Sequence, residues 1–440
     1  METRLTSNIK EAAHLLRSGE VVAIPTETVY GLAANALNPH TVAQVFRLKE
    51  RPFSDPLIVH VRNREAVEKL GIPIPDWARL LMEKFWPGPL TILLPHEGKI
   101  PSIVTAGLPR VALRAPAHPL TQALLEEIDF PLAAPSANPF ARISPTQPSH
   151  VWQYFEGKIP LILDGGPCRA GLESTIVGEE EGRFVLYRPG AISREALEAV
   201  LGTEIILPSP RSAPQAPGQF PRHYAPVKPL FYGWEVLPDE PEASLISFTP
   251  TSVCGPHAHL LTRPAKLYDT LHQCEGEPTK FILVQRVPLT FPHREAVEDR
   301  LRRAASPFVL TIGHSTHSAE RFLSLLARYG VSLLIDVRKA PYSRYVPHFS
   351  YPILREWLEK ASVAYLHLPA EELLMQTLSE QLKDSKRIVL MCAEGEPRRC
   401  HRFALADRLS QKGIRVLHIL PEGRLSLHIA PISWDSVEKV

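Results

Sequence analysis

The chain has 440 residues, 44% hydrophobic and 22% charged, a balance that fits about two to four globular domains and excludes a disordered or fibrous chain. Its formal charge of +2 excludes a global polycationic surface, so any nucleic acid would have to meet a local patch or another protein. No apolar run reaches the roughly 18 residues of a membrane span, and the start Met-Glu-Thr-Arg shows no signal-peptide pattern. Five dispersed cysteines (Cys168, Cys254, Cys274, Cys392 and Cys400) without C-x-x-C spacing argue for a reducing compartment, the cytoplasm.

In chain order, apolar runs predict strands over residues 21–25, 57–61, 90–95, 111–114, 132–136, 161–164, 174–177 and 184–187. Helical spacing predicts helices over 8–17, 40–49, 64–70, 76–85, 120–128 and 193–201. Several strands follow one another without a helix, which favours a mixed α/β sheet over a purely parallel one. Residues 208–229 carry seven prolines in 22 positions, an extended linker and the clearest boundary in the chain. Beyond it, strands are expected over 244–248 and 281–285 and helices over 265–272 and 294–305. That segment is small for an independent domain and is expected to pack on a neighbour. From residue 307, strands over 308–313, 333–337, 387–391 and 415–419 alternate with helices over 318–329 and 402–412, a small parallel sheet.

Several short motifs carry polar chemistry. Pro25-Thr26-Glu27-Thr28-Val29-Tyr30-Gly31-Leu32 leaves a strand end, a common ligand position, although alone it reads as a polar turn. Val42, Val45, Phe46 and Lys49 share one helix face, and Arg51 follows at the exit. These two cations either satisfy the helix dipole or clamp phosphate oxygens. Ser136 and Asn138 bracket a turn in Pro-Ser-Ala-Asn, where backbone N–H groups could meet a phosphate, and Ser144 follows. Glu173-Ser174-Thr175-Ile176 enters one strand, and Arg188-Pro189-Gly190 ends another.

Together, in order and spacing, these motifs resemble the YrdC-like family of threonylcarbamoyl-AMP synthases. The likeness runs from about Gly19 to Gly190 and includes Pro-Leu-Ile-Val-His and Phe-Trp-Pro-Gly-Pro-Leu-Thr. Ala216-Pro217-Gly218 and Arg222-His223-Tyr224-Ala225-Pro226 resemble the linker of the long, Sua-type members, and 299–305 resembles their smaller second domain. The resemblance implies a YrdC-like mixed twisted sheet over 1–205, a linker or lid over 206–229, and a small Rossmann-like α/β domain over 230–306. A small parallel α/β domain of unknown function would follow over 307–440.

The implied reaction converts L-threonine, bicarbonate and ATP to threonylcarbamoyl-AMP and pyrophosphate, making the chain a nucleotidyltransferase. Lys49 and Arg51 would be catalytic; Thr28, His60, Arg114, Ala134 and Ser174 would hold threonine. Arg51, Asp55, Arg110, Ser136, Asn138, Ser144, Arg188 and Tyr224 would contact ATP. The family often has Asn where Asp55 stands and a small hydroxyl residue where Arg110 stands. Mg2+ would accompany ATP, no prosthetic group is expected, and a separate transferase would pass the product to a tRNA adenosine. A weak tRNA contact belongs to the same expectation. The other readings are a double-stranded RNA or tRNA-binding module and carbamoyl-adenylate chemistry on another acceptor.

The last region resembles a small uncharacterised family marked by Gly-His-Ser, Asp-Val-Arg and Cys-His-Arg. Its candidate residues are His314, Asp336, Arg338, Cys392, Cys400 and His401, at ends of parallel strands that would converge on one edge. Three readings stand there. Cys392 to Arg398 has the C-x5-R spacing of a thiolate loop, Cys392, Cys400, His401 and His314 could bind a metal, or these residues are a buried strand end and a helix cap. The C-x7-C-H spacing is no standard zinc signature, so no metal ligand is assigned from the sequence. Residues 368–386 look too short to complete a pocket.

Overall fold

The computed structural model describes residues 1–208, 215–250, 255–382 and 386–430. Cys254 and part of the Pro-rich linker lie outside the described residues. The chain forms two compact units. The first comprises Met1–Val227 with Leu261–Glu275 and Val287–Ala304; the second comprises Lys228–Leu260, Gly276–Arg286 and Ala305–Val440.

In the first unit, strands β1 (Arg4–Thr6), β2 (Val22–Ile24), β3 (Gly31–Asn35), β4 (Ile58–His60), β5 (Leu90–Pro95), β6 (Arg110–Arg114), β7 (Leu132–Ala133), β8 (Leu161–Leu163), β9 (Thr175–Glu180) and β10 (Arg183–Arg188) form one sheet. Its order is β1-β8-β2-β3-β7-β4-β6-β5-β9-β10. Pairing is mixed: β4/β6 and β5/β9 are parallel, whereas β2/β3, β5/β6 and β9/β10 are antiparallel. The expected mixed sheet is therefore present.

Helices α1 (Ile9–Arg17), α2 (Pro39–Lys49), α3 (Arg64–Lys69), α4 (Asp76–Phe85), α5 (Ser102–Thr105), α6 (Pro119–Glu127), α7 (Pro148–Phe155), α8 (Arg194–Leu201), α9 (Leu267–Gly276) and α10 (Arg294–Ala304) complete the helices up to residue 304. Asn38 starts α2 by accepting from His40 N, Pro39 sits in the first turn, and Glu50 ends it with a left-handed φ of 53°. The α2 face carrying Val42, Val45 and Phe46 is buried, and that periodicity takes Lys49 inside with it. The sequence reading had no strand at β3, because Gly-Leu-Ala-Ala-Asn is small and buried without alternation. It also passed over β1, α5 and α7.

The second unit holds two sheets. Strands β11 (Leu230–Trp234), β12 (Ala243–Ser247), β13 (Ala258–Leu260) and β14 (Phe281–Gln285) form a parallel sheet in the order β11-β14-β12-β13. The second sheet is built by β15 (Phe308–Gly313), α11 (Ala319–Arg328), β16 (Leu333–Asp336), α12 (Tyr351–Lys360), β17 (Ala364–His367), α13 (Glu371–Gln381), β18 (Ile388–Cys392), α14 (His401–Gln411), β19 (Arg415–Ile419) and β20 (Leu425–Leu427). Its strand order is β17-β16-β18-β15-β19-β20, parallel except for β20. Phe231, Trp234, Phe281 and Leu283 share one hydrophobic cluster with Leu310, Tyr329 and Leu334, so the four-stranded sheet packs on the six-stranded one. The segment judged too short, 368–386, carries a full helix, α13.

Candidate functional site

The turn between β2 and β3 is tied by one hydroxyl. Thr26 Oγ1 accepts from the backbone N–H of Thr28 and Val29, both at 3.2 Å, and lies 2.8 Å from Thr28 Oγ1. This sets Thr28, fully buried, on the wall of a small cavity that is partly open to solvent. At the ends of the adjacent strands, β4 and β6 place His60 opposite Arg114. Arg114 Nη2 donates to Glu27 Oε1 at 2.7 Å. Burial, reinforced by the Arg114 charge, pushes the His60 imidazole down to about 3, and its buried Nδ1 has no hydrogen-bond partner.

A second group of cations lines or backs the same cavity. Lys49, 1% exposed, donates from Nζ to the carbonyl oxygens of both Ser136 and Asn138, so it holds the Pro-Ser-Ala-Asn turn. Burial and then the Arg51 charge lower its pKa well below the usual lysine value. Arg51 Nη2 donates to Pro56 O at 2.7 Å and pairs with Asp55 Oδ2 at 2.8 Å, the latter outside hydrogen-bond angles. Arg188 donates to Ser174 O and Ser174 Oγ, both at 3.0 Å. Six buried or half-buried cations (Lys49, Arg51, Arg114, Arg188, Arg300 and Arg303) face four carboxylates (Glu27, Asp55, Glu173 and Asp299). His223 registers that excess: burial and then Arg303, Arg51, Lys49 and Arg188 depress its pKa well below the ordinary value. The surroundings suit a polyanion.

Glu173 ties α9 and α10 to this site. Its carboxylate accepts from Ser144 Oγ at 2.7 Å, from Tyr268 Oη at 2.8 and 2.9 Å, and from Arg300 Nε at 3.1 Å. Burial would raise its pKa, but Arg300, Arg188, Ser144 and Tyr268 together bring it below the usual carboxylate range. The linker closes over this group. Tyr224, at a left-handed φ of 62°, lies under the guanidinium carbons of Arg303 at 5.0 Å and Arg300 at 5.4 Å from its ring centroid. Its hydroxyl is buried without a partner. Gly218, at φ +74°, lets the linker pass close to Arg188.

Of the residues selected from the sequence, Thr28, Arg51, His60, Arg114, Ala134, Ser136, Ser174, Arg188 and Tyr224 line this one cavity. Lys49, Asp55, Asn138 and Ser144 stand behind its wall: Asp55 against Arg51, Asn138 donating to Pro139 O and Arg142 O, and Ser144 on Glu173. Arg110 is not brought into the cavity; it bonds to Tyr187 Oη and Glu180 Oε1, both at 2.8 Å. Glu173, His223, Tyr268 and Arg300 were not among the selected residues. Their motifs were visible, but nothing in spacing says that a buried Glu173 finds its partners about a hundred residues away.

In the second unit the strand ends do converge, with Gly313 beside Cys392 and Asp336 beside Met391. Arg338 is bidentate to Asp336, at 2.9 and 2.7 Å, and its Nη1 lies 3.2 Å from His314 Nε2. Cys392 Sγ lies 3.5 Å from His401 Nδ1. A hydrogen bond between the cysteines raises the Cys392 pKa and lowers that of Cys400. Arg398 is exposed, and the buried guanidinium at this loop is Arg402, which donates to the carbonyls of Glu394 and Gly395. The C-x5-R reading therefore lacks its arginine. His314 also stands outside the Cys392–Cys400–His401 cluster, which corrects the four-residue metal grouping.

A mixed sheet with a cation-rich, linker-covered cavity defines the first unit as a YrdC-like α/β protein. Residues 14–190 match the family described as "Telomere recombination" (Sua5, YciO and YrdC), and 192–306 match "Threonylcarbamoyl-AMP synthase, C-terminal domain". Over 326 residues the chain is 40% identical to the threonylcarbamoyl-AMP synthase of Bacillus subtilis (strain 168), covering 69% of this chain and 94% of that one. It is 46% identical over 222 residues to that of Pyrococcus abyssi, covering 50% of this chain and 65% of that one. The crystal structure of P. abyssi Sua5 complexed with L-threonine superposes with a TM-score of 0.63 at 35% identity, over 69% of this chain and 98% of that one. The chain belongs to the threonylcarbamoyl-AMP synthase family. Residues 318–373 and 369–409 match a "Domain of unknown function DUF488". Among the described residues, no helix is long and apolar enough to cross a membrane.

Proposed function

We propose that the first unit joins L-threonine, bicarbonate and ATP into threonylcarbamoyl-AMP, releasing pyrophosphate, and is thus a nucleotidyltransferase. The observation that carries this reading is the single cavity shared by Thr28, His60, Arg114 and Ser174 with Arg51, Ser136, Arg188 and Tyr224. Arg114 would pair with the threonine carboxylate, with Glu27 fixing its guanidinium. Thr28, neutral His60, Ala134 and Ser174 would enclose the rest of the amino acid. The threonine amine adds to carbon dioxide derived from bicarbonate, and the resulting carbamate oxygen attacks the α-phosphorus while pyrophosphate leaves. Such transfer needs positioning and charge neutralisation more than a protein nucleophile. Arg51 and Arg188, with Lys49 holding the Ser136–Asn138 turn, supply cationic density for the phosphates.

Mg2+ would enter with ATP and share that charge neutralisation. Asp55, paired with Arg51 behind the cavity wall, would fix that guanidinium rather than meet the ion. Ser144 and Asn138 would act on the nucleotide through Glu173 and the turn, and Arg110 only from outside the cavity. The covering linker would keep water from a labile mixed anhydride. The product would then serve tRNA threonylcarbamoylation by a separate transferase in the cytoplasm. Pyrophosphate release is the test: it must require threonine and bicarbonate together. Release with ATP alone, or none at all, contradicts the reading.

A further inference from the structure

The edge of the six-stranded sheet carries a second cluster that the synthase reaction does not use. Cys392 is the last residue of β18, Cys400 is the cap residue before α14, and His401 opens that helix. One sulfur from each cysteine and one ring nitrogen all lie within 4.8 Å of one another. We propose that Cys392, Cys400 and His401 form a binding site for one Zn2+ ion, with the fourth coordination position open to solvent.

The spacing fits the ion. Tetrahedral zinc, with Zn–S of about 2.3 Å and Zn–N of about 2.0–2.1 Å, separates sulfur and nitrogen ligands by roughly 3.5 Å. Cys392 Sγ already stands 3.5 Å from His401 Nδ1. Both cysteines are free and buried, whereas His401 is exposed, so an ion can enter from solvent without opening the core. Two thiolates with an imidazole suit a borderline-soft cation rather than Mg2+ or Ca2+.

The donors are also held in place. Arg402 donates to the carbonyls of Glu394 and Gly395 and so pins the loop between the two cysteines. His314 N and Ser315 N donate to the carbonyls of Cys392 and Ala393 at 2.9 and 2.7 Å. The approach is so close that a Cβ on Gly313 would lie 1.7 Å from Glu394 O. Three protein ligands with one position open is the arrangement of zinc sites that act on a bound molecule rather than only hold a fold.

The test uses the full chain, reduced and chelator-stripped under anaerobic conditions, titrated with Co2+ as a spectroscopic probe and then displaced by Zn2+. One equivalent of Co2+ should give a thiolate charge-transfer band with tetrahedral ligand-field bands, and Zn2+ should abolish both. Cys392→Ser and Cys400→Ser should lose the band, and His401→Ala should weaken binding about tenfold or more. Cys168→Ser should bind as the parent does. Because His401 is exposed, its alanine variant keeps the fold, which a far-UV spectrum checks. A band that survives both Cys392→Ser and Cys400→Ser, or no band at all, overturns the proposal. So does a reduced chain that takes up no metal but forms a Cys392–Cys400 disulfide on mild oxidation.

Discussion

Arg300 Nε lies 3.1 Å from Glu173 Oε2, joining α10 to the start of β9 across 127 residues of sequence. Both side chains are buried, 1% and 7% exposed, so neither charge can turn to water if the other is removed. Arg300→Met should therefore destabilise the first unit by about 3–5 kcal/mol. The check is the midpoint of the urea transition for this unit, followed with Glu173→Leu in a double-variant cycle. A strong pairwise coupling is expected; simple additivity would contradict the pairing.

Lys49→Ala should lower threonine-dependent pyrophosphate release by about a hundredfold or more, because the Ser136–Asn138 turn loses its only described ammonium donor and the phosphates lose a charge. Lys49→Arg should not restore it, since a planar guanidinium does not fit a position that is 1% exposed. Turnover close to that of the parent protein in either variant would remove Lys49 from the site.

Tyr224→Ala should leave pyrophosphate release partly intact but divert product to water. The ring packs beneath Arg300 and Arg303 and forms part of the cavity wall. The ratio of free AMP to threonylcarbamoyl-AMP, read by chromatography, should rise. An unchanged ratio would make the linker a spacer rather than a cover.

The first unit should weaken in mild acid. His60 has a folded pKa near 3 against an ordinary 6.5, because burial and Arg114 disfavour its cation. Below pH 6.5 the unfolded chain takes up a proton there and the folded chain does not, so stability falls as pH drops from 6.5 towards 3. One such group contributes about 1.4 kcal/mol per pH unit. His60→Gln should flatten the slope of unfolding free energy between pH 6 and 4 (about that range) by this amount; an unaltered slope would show that His60 titrates normally.

Most strands of the large sheet, and α2 with Lys49 on its buried face, were legible because apolar periodicity writes them directly into the sequence. β1 and β17 were not: Arg-Leu-Thr and Ala-Tyr-Leu-His are short edge strands with largely exposed or half-exposed side chains, held by backbone pairing rather than burial. α13 was obscured because Leu373 is exposed beside buried Leu374, Met375 and Leu378, which blurs its apolar face. At the site, motif order selected the side chains of the cavity wall, but Arg110 came in only through the resemblance, at a position where the family often has a small hydroxyl residue, and β6 reaches the cavity through Arg114. Glu173's partners, Tyr268 and Arg300, depend on tertiary packing that no local pattern encodes.

The most direct measurement is mass spectrometry of the product formed by the full chain from ATP, L-threonine and isotopically labelled bicarbonate. The account predicts an adenylate that carries both the threonine and the label, formed in step with pyrophosphate. An adenylate lacking the labelled carbon, or pyrophosphate accumulating with no threonine-containing adenylate, would contradict it.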